Sequence, residues 1–160
     1  MSRNLERAVP YLRTFTSLLI SETKTRLGLS IFIVDVDRDY KIQVAYYAQG
    51  RENVATVNTL RAAAGLPRIT VQQNKKKITW TLKSKHITNL DDEDIANDLS
   101  RAVDIGLKDH NGRYVGDSYA DLNKDHIRDY KQIGLLGEEL GKGHIKWGGR
   151  FGDEPHFEVI

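Results

Sequence analysis

The chain has 160 residues, 39% hydrophobic and 29% charged, with a formal net charge of +2. That length suits one domain with a genuine core, and the absence of cysteine excludes disulfides and thiolate metal sites. The longest apolar run, Leu27 to Val34, includes a Gly and a Ser and is far too short to span a bilayer. No basic-aromatic cluster points to nucleic acid, since Lys75–Lys77 reads as a solvated turn. The opening MSRNLERAVP lacks an apolar core and a cleavage site, so no secretory signal is expected.

The first predicted element is a helix to about Arg26, with Val9, Leu12, Phe15, Leu18 and Leu19 at helical spacing. Pro10 fits only a first helical turn, so Asn4–Val9 is either a separate turn or a kinked extension. Leu29–Val36 is rich in β-branched residues and reads as a buried strand. Either Asp37 or Asp39 can cap the next helix, which carries Ile42, Ala45, Tyr46 and Gln49 and closes at Gly50. A further helix has Val54, Val57, Leu60 and Ala64 in phase, with Gly65 and Pro67 after it.

Ile78–Lys83 alternates as a strand would, and the parity of Ile78, Trp80 and Leu82 continues through Ser84 to His86. The acidic stretch 87–101 reads either as a solvated insertion loop or as a calcium loop. A short strand at Ala102–Ile105 puts Val103 and Ile105 on one face and Asp104 on the other, and Asn111-Gly112 signals a hairpin. A helix is predicted over Asp121–Leu140. Asp121, Asn123 and Asp125 imitate an EF-hand opening, but His126 and Gln132 replace its Gly and Glu, so these acids are assigned to the helix start. The last residues alternate, with Phe157 and Val159 opposite His156, Glu158 and Ile160.

Strand faces thus offer His86, Asp104 and His156. Two imidazoles and one carboxylate leave an open fourth zinc position, as a catalytic site requires. A bend at Gly152–Pro155 would let Asp153 converge on His156, as an acid that takes a proton from water. His110, His126 and His144 are expected at the surface, in a turn, on a helix and just before a strand.

The pieces SKH (Ser84–His86), AVD (Ala102–Asp104) and DEPH (Asp153–His156) resemble the zinc D,D-carboxypeptidase and L-alanyl-D-glutamate endopeptidase family. YAQGR (Tyr47–Arg51) and WGGRF (Trp147–Phe151) are similar to its phage endolysin branch, and Arg38 lies nine residues before Tyr47, where that family has an arginine. The resemblance runs from about Leu29 to the C-terminus. It implies a single α+β domain over 1–160, with a small central antiparallel sheet flanked by helices, holding one Zn2+ on His86, Asp104 and His156. Asp153 maps to the catalytic acid/base, Arg38 to the oxyanion-binding residue and Ser84 to the substrate cleft. Two departures stand out. The 18-residue separation of His86 and Asp104 exceeds the family's usual loop, and Asp37 and Asp39 flank Arg38, where they could pair with it.

The expected activity is hydrolysis of peptidoglycan stem peptides by an L-alanyl-D-glutamate endopeptidase in phage or prophage host lysis. The enzyme would be a monomer, made in the bacterial cytoplasm without a signal peptide and released through a holin. The alternatives are a D,D- or L,D-carboxypeptidase trimming terminal D-Ala, or a non-catalytic zinc or calcium module of the same fold.

Overall fold

The computed structural model describes residues 2–88 and 99–160. Helix α1 (Pro10–Leu27) starts with Pro10 in its first turn and ends at Gly28, whose φ of 70° closes it in the left-handed region. Leu12, Phe15, Thr16, Leu19 and Thr23 form its buried face; Leu18 is exposed. The preceding residues are a separate 3-10 turn, Leu5–Arg7, in which Asn4 accepts the Glu6 N–H.

Strand β1 (Ser30–Asp35) pairs antiparallel with β4 (Ala102–Lys108), and β4 pairs on its other side with β7 (His156–Val159). β7 also pairs with β6 (Ile145–Trp147), giving the order β1-β4-β7-β6, with β5 (Tyr114–Val115) paired to the far end of β4. The Asn111-Gly112 signal holds: Gly112, at φ 77°, completes the turn between β4 and β5. This is the expected α+β fold, a central antiparallel sheet with helices around it. Its core joins Leu12, Phe15 and Leu19 of α1 to Val103, Ile105 and Phe157 of the sheet.

Helix α4 (Asp129–Leu140) completes that core with Tyr130, Ile133 and Leu136. It lies close because Gly134 and Gly137 have no side chain: a Cβ would meet the Trp147 ring at 2.1 Å and the Phe157 ring at 2.3 Å. Beside the sheet, β2 (Arg38–Asp39) and β3 (Ile87–Thr88) form a parallel pair. Asp39 accepts the Lys41 N–H at the start of α2 (Tyr40–Ala48), and Asn53 caps α3 (Val54–Ala63). None of the described helices is long and apolar enough to cross a membrane.

Two elements differ from the sequence reading. Residues 78–83 form no strand, and Ile78, Trp80 and Leu82 are exposed by 46, 77 and 37% rather than facing the core. The segment instead runs along α2, with Gln43 donating to the Thr81 carbonyl and Arg51 to that of Thr79. The second difference is that α4 begins at Asp129, so residues 121–128 are loop and His126 lies in that loop, exposed, at φ 68°. The side chains of Asp121 and Asp125 take backbone N–H groups that a helix would have used.

Most of the acidic stretch, 89–98, lies outside the described residues, including its reading as a solvated insertion or a calcium loop. Its flanks are tied down: Ser100 exchanges backbone hydrogen bonds with Arg7 and Val9.

Candidate metal centre

Register brings the first two ligands together. Asp104 lies opposite His156 where β4 pairs with β7, both side chains on the face away from Val103 and Phe157. His86 arrives differently from the single-sheet expectation. It precedes β3, and its carbonyl accepts the Arg38 N–H, so the β2–β3 pair carries it over the end of the main sheet. His86 Nε2 lies 3.2 Å from Asp104 Oδ1 and 3.2 Å from His156 Nδ1, while His156 Nδ1 and Asp104 Oδ1 are 2.9 Å apart.

These three atoms fit a metal ion. Tetrahedral coordination with bonds of about 2.0–2.1 Å puts ligand atoms about 3.3 Å apart. The outer nitrogens fix the inner ones. His86 Nδ1–H donates to the Val36 carbonyl at 2.8 Å, which leaves Nε2 of the neutral ring as a lone pair facing inward. His156 Nε2 lies 3.3 Å from Glu158 Oε2, which favours the same arrangement there. Among the described residues this is the group of His, Asp and Glu side chains with ligand spacing, and it could hold a metal ion.

The electrostatics favour a cation. Burial alone would raise the Asp104 carboxyl, but His86 and His156 outweigh it and hold Asp104 far below the usual carboxylate range. Burial depresses His156, but Asp104, Asp153 and Glu158 outweigh it and push the imidazole up. Replacing His86 with Ala is expected to reduce any bound metal to background while the far-ultraviolet dichroism persists. Metal analysis of the purified variant checks this, and metal content equal to that of the unsubstituted protein would contradict the ligand assignment.

The expected bend is present. Gly152 takes φ 89°, Asp153 N–H donates to the Gly148 carbonyl at 2.9 Å, and Trp147 Nε1–H donates to the Glu154 carbonyl at 2.7 Å. Asp153 therefore lines the same cleft as His156 and is not one of the three clustered groups. Burial first, then the charge of Asp104, pushes its carboxyl above the ordinary range.

Arg38 also lines the cleft, held differently from the sequence reading. Its guanidinium donates to Asp35 Oδ2 and to Gln43 Oε1, each at 2.7 Å, and its buried Nε–H has no partner. The flanking acids are turned elsewhere: Asp37 pairs with Arg7, and Asp39 caps α2. Ser84 lines the cleft and its Oγ accepts the His86 N–H at 3.3 Å.

The cleft has a volume of about 1050 Å³ and extends from the metal cluster past Tyr46 and Arg61 towards Lys76 and Lys83. Asp35, Gln43 and Glu158 were missed as supporting residues. Only Glu158 had a sequence signal, since it shares strand parity with His156.

No family model and no curated protein matches the chain.

Proposed function

We propose that this protein is a zinc metallopeptidase that hydrolyses peptidoglycan stem peptides, as an L-alanyl-D-glutamate endopeptidase acting in phage or prophage host lysis. The observation that carries the reading is the convergence of His86, Asp104 and His156 on one point, with Asp153 and Arg38 in the same cleft. A purely structural metal site needs neither of the last two.

Zinc held by His86, Asp104 and His156 supplies Lewis-acid polarisation of the scissile carbonyl and of water. Asp153 accepts a proton from the attacking water and returns it to the departing amine, and its raised affinity for protons suits both transfers. Arg38, braced by Asp35 and Gln43, holds its guanidinium charge at the cleft, near the oxygen on which negative charge develops. Bracing matters because a donor fixed beforehand needs no reorganisation when charge appears. At about 1050 Å³ the cleft is large enough to take a peptide segment.

The test is product analysis by mass spectrometry on purified peptidoglycan. The expected product is the stem peptide released after L-Ala. Release of D-Ala alone would replace the endopeptidase with the carboxypeptidase, and intact muropeptides with zinc-loaded protein would leave a binding module.

A further inference from the structure

The Asp129 carboxylate is fully buried at 0% exposure, and its Oδ1 has no hydrogen-bond partner. Its other oxygen accepts the Leu122 N–H at 2.8 Å, which seats the carboxylate against the loop that carries Asp121, Asn123 and Asp125. A buried carboxylate oxygen left without a donor is costly, and a bound ion would satisfy it. Burial, followed by the charges of Asp121 and Asp125, pushes the Asp129 carboxyl up, so negative charge is crowded here.

We propose that the Asp121–Gln132 loop is a calcium site, separate from the zinc centre. Asp121, Asn123 and Asp125, the Ile127 carbonyl, Asp129 and Gln132 stand at positions one, three, five, seven, nine and twelve of a calcium-binding loop. The turn that normally needs Gly at position six is made by His126, at φ 68°. Asp121 Oδ1 and Oδ2 accept the N–H groups of Asp125 and His126, folding the loop about a centre.

The Gln132 amide nitrogen lies within that centre, 2.7 Å from both Asp125 oxygens and 3.2 Å from the Ile127 carbonyl. A donor among three acceptor oxygens stands where a cation would. Turning the amide over presents Oε1 to the ion instead. All the donors are hard oxygens, which suits calcium and not zinc. A neutral Gln in place of a bidentate Glu makes the site weak, with a Kd of about 10⁻⁴–10⁻³ M.

Calcium titrations of the zinc-loaded full chain, by calorimetry and thermal melting, test this. One ion is expected to bind, raising Tm by about 3–6 °C. Asp121→Asn, at a half-buried loop residue, should weaken binding at least ~10-fold and Gln132→Glu should tighten it ~10-fold or more, by ligand charge. Asp104→Asn should leave the calcium shift intact. No shift up to ~10 mM calcium, or an equal shift with magnesium, would overturn the proposal. So would binding that is lost in Asp104→Asn and kept in Asp121→Asn.

Discussion

Asp153→Ala is expected to abolish wall lysis while zinc remains bound. Asp153 lies in the cleft but outside the ligand cluster, so its loss leaves His86, Asp104 and His156 in place. Its backbone sits in a turn fixed by the Gly148 carbonyl and by the Trp147–Glu154 hydrogen bond, neither of which uses the carboxylate. The turn therefore does not depend on the side chain. A positioned acid/base contributes about 10²–10⁴-fold to rate. Turbidity loss of purified walls should thus fall by about 10³-fold or more, with the metal content of wild type. Lysis within tenfold of wild type would contradict the role given to Asp153.

Phe157→Ala is expected to cost about 3–5 kcal/mol of stability, the range for deleting a fully buried aromatic ring. Phe157 is 0% exposed, its ring 5.6 Å from that of Phe15, and it fills the space that Gly137 leaves open. No neighbour can collapse into the gap easily, since paired strands flank β7 on both sides. A chain of this size should lose roughly 6–20 °C in Tm. His156 is the adjacent residue, so zinc affinity should fall as well. Calorimetry checks the first effect, and a loss below about 1 kcal/mol would contradict the packing described.

Much of the fold was legible because burial and periodicity agreed. Leu12, Phe15 and Leu19 mark one face of α1, and Val103 and Ile105 alternate with Asp104 as a half-buried strand should. The three side chains that could hold a metal ion, His86, Asp104 and His156, were legible through the same parity, together with the family resemblance. The alternation at 78–83 misled because period two reports an extended backbone, not a paired one. Ile78 and Trp80 face the cleft and solvent, and the side chains of Gln43 in α2 and Arg51 just after it, rather than a neighbouring strand, bond to the segment's carbonyls. The start of α4 was misplaced because Asp121 and Asp125 offer the backbone a competing set of partners. The bracing of Arg38 by Asp35 and Gln43 joins the end of one strand to the interior of a helix, and no local pattern announces that.

The position of β7, the strand nearest the carboxyl end yet inserted between β4 and β6, sets an order of events for the folding chain. β4 finds β1 across some seventy intervening residues, and the interior of the sheet closes only when the final strand slots in. Such non-local pairing is slow to form. The two facing side chains, Asp104 and His156, meet only after that insertion, so a metal ion held there would be captured late. Chelation should accordingly speed the opening of the native state far more than it slows its formation.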